Sequence, residues 1–316
     1  MKWREWPPPG LLVARTIPRR YGVFLHCKVY LGAKMQSLAG SVAFITGGAS
    51  GIGLGMAEAF AEKGMKVAIA DMDQPALTKS AEQLEAKGAN VIAIPCDVTN
   101  ATSVDEAAAA TLRAFGKVHV VCNNAGVNPL GALSDIRLID WRWVLDVNVM
   151  GVVHGIKTFL PILQRQGEGG HFVNTCSAIG LAQPNTANGG FSPYLASKYA
   201  VVGLSEKLAF ELAPQGIGVS MLCPSFVRTN LTASDRVRPD HYRGEEPGAT
   251  DAERARHASI LNSGLEPLAV GRQVVSGILD KELYILTHAN IRADVERRFN
   301  TILGSFDRLN TSPAKG

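Results

Sequence analysis

The chain has 316 residues, 46% of them hydrophobic and 19% charged, enough apolar side chain for a large core and too little charge for a disordered polypeptide. No run of about 18 apolar residues occurs, which excludes a helical membrane span. The net charge of +4 belongs to the head of the chain: residues 1–34 hold seven of the 32 basic and one of the 28 acidic residues, so the rest is near neutral and offers no nucleic-acid footprint.

Those 34 residues show no helical or alternating period and contain Pro7, Pro8, Pro9 and Gly10. Pro and Arg interrupt every apolar stretch before it reaches signal-peptide length. They are expected to form a disordered extension outside the working fold, as a start codon placed too far upstream would produce. The globular pattern opens at Met35.

From residue 42 strands and helices alternate. VAFIT (42–46) is a first strand, followed at once by a glycine-rich turn and a helix ending at Gly64. KVAIAD (66–71) is a second strand, residues 75–87 a helix, and VIAIPCD (91–97) a third strand. Residues 101–115 are helical, VHVVCNNAG (118–126) is a fourth strand running into a turn, and a long helical stretch covers about 137–165. HFVNTCS (171–177), IGVSMLCPS (217–225) and LYILT (283–287) are the last strands, with a strong helix at 194–213 and a helix near 290–306. Apolar strands separated by helices predict an α/β fold, a Rossmann-type doubly wound parallel seven-stranded sheet in a single domain over 35–290. Residues 291–316 are a C-terminal helix and tail.

The five cysteines (Cys27, Cys96, Cys122, Cys176, Cys223) lack the spacing of a metal site and are expected as buried free thiols in a reducing cytoplasm.

The turn Thr46-Gly47-Gly48-Ala49-Ser50-Gly51-Ile52-Gly53 leaves a strand and enters a helix. Glycine lets backbone approach a pyrophosphate, and the helix N-terminus offers free N–H groups to its charge. Asp71 ends the second strand about 20 residues on, where a carboxylate binds the adenosine ribose hydroxyls. A 2′-phosphate would be repelled there, and residues 46–53 contain no Arg or Lys, so the cofactor is expected to be NAD rather than NADP. Asp97, followed by Val98, ends the third strand on the adenine side.

Tyr194 and Lys198 stand one helical turn apart on one face. A phenol titrates near 10, and bringing it to roughly 7 takes about 4 kcal/mol of differential stabilisation, which an adjacent ammonium and a cationic nicotinamide are suited to supply. Ser177 ends the fifth strand on the sheet edge where open α/β folds bind ligands. Asn148 is a poor helix former in the middle of a helix.

In this order, these residues closely resemble the short-chain dehydrogenase/reductase family: Thr46-Gly-x-x-x-Gly-x-Gly53, Asp97, Asn123-Asn124-Ala125-Gly126, Asn148, Ser177 and Tyr194-Leu-Ala-Ser-Lys198. The resemblance covers residues 38–290. It implies that Tyr194 is the general acid/base and Ser177 holds the reacting oxygen. Lys198 would bind the nicotinamide ribose and lower the tyrosine pKa, and Asn148 would hold a relay water. Asn123–Gly126 would brace the sheet beside the cofactor, and Pro224, Val227 and Thr229 would meet its nicotinamide side. The family also implies a homodimer or homotetramer through the helices at 137–165 and 194–213. Two departures stand out. Pro224-Ser225 replaces the usual Pro-Gly, which removes glycine's freedom at positive φ. Ser177 and Tyr194 are 17 residues apart where about 13 is usual, with the extra residues in 184–190.

Residues 228–264 form a long polar segment where the family has its substrate lid. Its arginines (Arg228, Arg236, Arg238, Arg243) are expected as solvated charges rather than as partners of a substrate anion, and His241 carries no assigned role. The phrases Arg236-Val-Arg-Pro-Asp-His-Tyr242, Gly264-Leu-Glu-Pro267 and Leu283-Tyr-Ile-Leu-Thr287 are similar to bacterial Cα-dehydrogenases of lignin-type aryl ethers, which oxidise benzylic secondary alcohols with NAD. The expected activity is therefore NAD-dependent interconversion of a bulky, on this narrower resemblance aryl, secondary alcohol and its ketone. Two alternatives stand beside it. One is a 3-oxoacyl-type reductase using NADPH, which Asp71 opposes. The other is a non-catalytic nucleotide sensor, which an intact Asn148, Ser177, Tyr194 and Lys198 oppose.

Overall fold

The computed structural model describes residues 37–131, 133–182, 192–244 and 250–311. The expected extension at 1–34, Cys27 and the insertion at 184–190 lie outside the described residues. Seven strands form one sheet: β1 (Val42–Thr46), β2 (Lys66–Asp71), β3 (Val91–Pro95), β4 (Val120–Asn123), β5 (Gly170–Thr175), β6 (Ile217–Cys223) and β7 (Tyr284–Leu286). The order is β3-β2-β1-β4-β5-β6-β7 and every pairing is parallel. Strands β1, β4, β5 and β6 are buried along their whole length, as an all-parallel sheet covered on both faces requires. The edge strands β3 and β7 keep exposed positions.

The helices divide between the two faces. On one side α1 (Gly51–Glu62), α2 (Gln74–Ala86) and α8 (Pro267–Asp280) close a core around Phe60, Ile69 and Val274. On the other, α3 (Ala101–Phe115), α4 (Leu138–Leu145), α5 (Gly151–Gln166) and α6 (Ser192–Leu212) close a second core around Phe44, Trp143 and Phe159. Two further helices, α7 (Asp251–Asn262) and α9 (Arg292–Thr311), complete the described chain. Helices α1 and α8 touch backbone to backbone. A Cβ at Gly55 would fall 2.2 Å from the Pro267 carbonyl oxygen, and one at Gly271 would fall 2.1 Å from that of Gly55.

Three features depart from the sequence expectation. The long helix expected over 137–165 is interrupted by a π-helical turn at Asp146–Met150. The lid carries a helix of its own, α7, whose Thr250 hydroxyl accepts from the Glu253 N–H (3.2 Å) while the Glu253 carboxylate accepts from the Thr250 N–H (2.8 Å). Helix α8, absent from the sequence reading, begins with Pro267 in its first turn, where a missing N–H costs nothing. Cys96, Cys122, Cys176 and Cys223 are free and buried, as expected. No helix among the described residues is long and apolar enough to cross a membrane.

Candidate active site

The strand order reverses between β1 and β4, and a cleft opens there at the carboxyl ends of the strands, where this architecture binds ligands. Of the motif residues singled out for the cofactor and the chemistry, all line it except Thr46, Gly48, Ala49, Gly53, Asn123 and Asn148. Thr46 and Asn124 stitch its floor. The Thr46 hydroxyl accepts from the N–H groups of Asn124 (2.9 Å) and Ala125 (3.1 Å), and the Asn124 side-chain amide donates to the Thr46 carbonyl at 3.0 Å. Gly53 faces the turn rather than the cleft: a Cβ there would fall 2.0 Å from the Gly47 carbonyl oxygen, so the turn tightens this far only around glycine. The Ser50 side chain does not cap α1. The first-turn N–H groups are left to the cleft, a cradle suited to a phosphate-bearing ligand.

At one end Asp71 is held by its own turn. Its carboxylate accepts from the N–H groups of Ala49 (3.1 Å) and Asp73 (3.0 Å). Burial nevertheless raises its pKa, against those two hydrogen bonds and the charge of Arg236, which lower it. The Asp97 carboxylate turns into its own loop and accepts from the Thr99 N–H (2.9 Å) and hydroxyl (2.8 Å).

At the other end stand Ser177, Tyr194 and Lys198. Ser177 leaves β5, its hydroxyl donating to the Pro224 carbonyl at 3.3 Å. A hydrogen bond with Ser177 lowers the Tyr194 pKa, but burial outweighs it and pushes the phenol well above its ordinary value. Lys198 is fully buried and donates to the Thr175 carbonyl at 2.8 Å, its ammonium 5.2 Å from the Tyr194 ring centroid. Burial pushes that ammonium down to about 8. In the chain by itself, therefore, the ammonium does not bring the phenol toward neutrality as the sequence suggested; desolvation governs both groups.

Asn148 lies behind the wall, inside the π turn. Its side-chain oxygen accepts from the Val127 N–H (2.8 Å), and its amide donates to the Val127 carbonyl (3.0 Å) and the Ser197 hydroxyl (3.0 Å). This fixes the turn after β4 against α6. Ser225 shows no backbone strain in place of glycine: it is not among the residues at positive φ, and its N–H is taken by the Thr287 hydroxyl at 3.3 Å.

The lid supplies wall residues the sequence did not single out for the site, among them Leu231, Ser234, Val237 and Leu261, together with Trp143 from α4. Of the lid arginines expected to be solvated, Arg238 is the one the structure corrects. Arg228 and Arg243 pair with Glu266 and Asp240 at exposed positions. Arg238 is buried: it donates to Asp140, pairs with Asp235 at 3.3 Å, and lies 4.0 Å over the Trp143 ring. Asp140 is itself gripped by Arg137 through two bonds of 2.8 Å. Tyr242 donates to Asp146, the first residue of the π turn, at 2.7 Å. The lid is thereby fastened to the segment that carries Asn148. His241 stacks on Tyr242, 4.1 Å between ring centroids.

Residues 41–239 match the family model described as short chain dehydrogenase. A CLA biosynthesis dehydrogenase/reductase of Lactiplantibacillus plantarum is 32% identical, covering 85% of this chain and 95% of that protein. A C alpha-dehydrogenase of Sphingobium is also 32% identical, covering 88% of this chain and 90% of its own length. Among solved structures, a short chain dehydrogenase/reductase from Burkholderia phymatum in complex with NAD is 41% identical, with a TM-score of 0.80 over 89% of this chain and 99% of that one.

Proposed function

Because the chain belongs to the short-chain dehydrogenase/reductase family, we propose that it is an NAD-dependent dehydrogenase interconverting a bulky, aryl-type secondary alcohol and its ketone. The observation that carries the reaction is the meeting of Ser177, Tyr194 and Lys198 at the cleft end opposite Asp71. In alcohol oxidation the Ser177 hydroxyl holds the substrate oxygen, and the Tyr194 phenolate takes its proton. Lys198 steadies that phenolate and offers its ammonium to ribose hydroxyls. Asn148 has both side-chain groups engaged, so its part in a relay falls to its backbone carbonyl.

The cleft fits a dinucleotide on its own features: the uncapped start of α1 for the pyrophosphate and the Asp71 carboxylate for the ribose hydroxyls. When bound, the nicotinamide accepts or returns the hydride. Asp97 and Val98 border the adenine, and Asn124, Ala125 and Gly126 form the floor. Pro224, Val227 and Thr229 border the nicotinamide side. The substrate assignment is supported by the relationship to a C alpha-dehydrogenase and by a lid that adds α7 over the cleft.

The test pairs turnover with binding. Nicotinamide absorbance with NAD and NADP, across benzylic and aliphatic secondary alcohols, should show bulky benzylic alcohols oxidised with NAD. The Tyr194→Phe variant should lose turnover by about 10²-fold or more, the scale of general acid/base catalysis, while still quenching or shifting NADH fluorescence. Activity confined to 3-oxoacyl thioesters with NADPH would overturn the proposal.

A further inference from the structure

Arg236 and Arg238 are two positions apart on the lid and go to opposite places. Arg238 is buried against Trp143 and Asp140, which fixes the course of the lid backbone over the cleft. Arg236 turns toward the adenosine end, and its guanidinium reaches Asp73 at 3.3 Å. Asp73 is joined to Asp71 by its N–H, 3.0 Å from the Asp71 carboxylate. Asp71 and Arg236 both line the cleft. The end of the cleft assigned to the adenosine ribose thus carries a cation that is invisible in the glycine-rich turn, because it is supplied by the lid.

We propose that Arg236 is a cofactor-specificity residue: it meets whatever occupies the 2′ position of the adenosine ribose, so that Asp71 and Arg236 together decide between a hydroxyl and a phosphate. This rests on the proposed function, which places that ribose at Asp71. The chemistry is a balance of charges. A guanidinium presents a planar fork of donors that matches phosphate bidentately. With Asp71 and Asp73 in place, a 2′-phosphate faces two carboxylates against one guanidinium, and the 2′-hydroxyl is favoured. With Asp71 neutralised, the same guanidinium becomes the phosphate's partner.

The experiment measures dissociation constants of NADH and NADPH by nicotinamide fluorescence. It compares the wild type, Arg236→Ala, Asp71→Ser, Asp71→Asn and each Asp71 variant combined with Arg236→Ala. Asp71→Asn keeps the side-chain volume in case Asp71→Ser fails to fold. Either Asp71 variant should bind NADPH about 10- to 100-fold more tightly, the range of a charge-assisted hydrogen bond. Adding Arg236→Ala should remove that gain, and Arg236→Lys should keep part of it. An equal NADPH affinity with and without Arg236 in the Asp71 background overturns the assignment and leaves the NAD reading intact. A wild type that binds NADPH more tightly than NADH overturns the NAD reading instead. In that case a selective loss of NADPH binding in Arg236→Ala upholds the role of Arg236, and an equal loss of both nucleotides rejects it.

Discussion

Tyr194 and Lys198 share one desolvated pocket, and each is driven toward its neutral form by burial. On the proposed mechanism oxidation of an alcohol needs the phenolate, so kcat/KM for oxidation should rise with pH. Ketone reduction needs the phenol and should fall as pH passes the same pKa. The Lys198 ammonium lies 5.2 Å from the Tyr194 ring centroid, and a cation there favours the phenolate against the opposing effect of burial. In Lys198→Met the oxidation limb should therefore move upward in pH–rate profiles; an unmoved limb would remove Lys198 from this role. These residues were legible in the sequence because each rests on a local relation: one helical turn between Tyr194 and Lys198, one strand end for Ser177, one strand and turn for Asp71. Arg236 was not legible as a neighbour of Asp71, because only the lid's path across the cleft brings it to Asp73.

Among the elements, the lid and the π turn behave as one fastened unit. Arg238 and Tyr242 reach from the lid to Asp140, Trp143 and Asp146, while Asn148 ties the same turn to Val127 and Ser197. Removing one partner from a buried ion pair costs about 3–5 kcal/mol, and Asp140 keeps Arg137 when Arg238 is lost, so Arg238→Leu should cost about 3 kcal/mol or less. Denaturant titration should show that loss, and steady-state kinetics should show KM for the alcohol raised several-fold with a smaller change in NADH affinity. An unchanged KM would mean that the anchor serves stability alone. The π turn is only five residues long, between two α-helices, and contains neither glycine nor proline, so nothing in the sequence separates it from one continuous helix. Helix α7 did have a local signature in Thr250-Asp-Ala-Glu253, and α8 had Pro267 ahead of apolar Val270, Val274 and Ile278. Both were obscured by the polar character of the segment around them.

At the scale of the whole molecule, seven strands and two covered faces followed from apolar runs separated by helices. The strand order was not legible in the same way, because right-handed crossovers limit the possible orders without selecting one. What composition did not reveal is where the sheet stores sensitivity to acid. His171 is wholly enclosed in β5, its ring nitrogen Nε2 at 2.8 Å from the Ser220 hydroxyl. That hydroxyl donates onward to the Glu282 carbonyl, so the ring is the donor and Ser220 the acceptor. Burial pushes His171 down from 6.5 to about 4. Between those values the unfolded chain binds a proton that the native chain refuses. Stability is therefore intact above pH 6.5 and declines as pH falls toward 4, by about 3 kcal/mol from this group. Melting temperature against pH should fall more steeply for the wild type than for His171→Gln over that interval; parallel curves would reject the assignment.

The glycine contact between α1 and α8 also has a meaning in time. Residues 41–239 match the family model, and a ribosome that has just passed Thr250 has already delivered most of the residues that line the cleft. The helix braced against α1 is encoded later, at Pro267–Asp280, and β7 later still, at Tyr284–Leu286. Until that stretch emerges, the start of α1 that offers its N–H groups has no backbone behind Gly55. The brace behind the start of α1 thus comes from far downstream in the chain, and a chain ending before Pro267 lacks it.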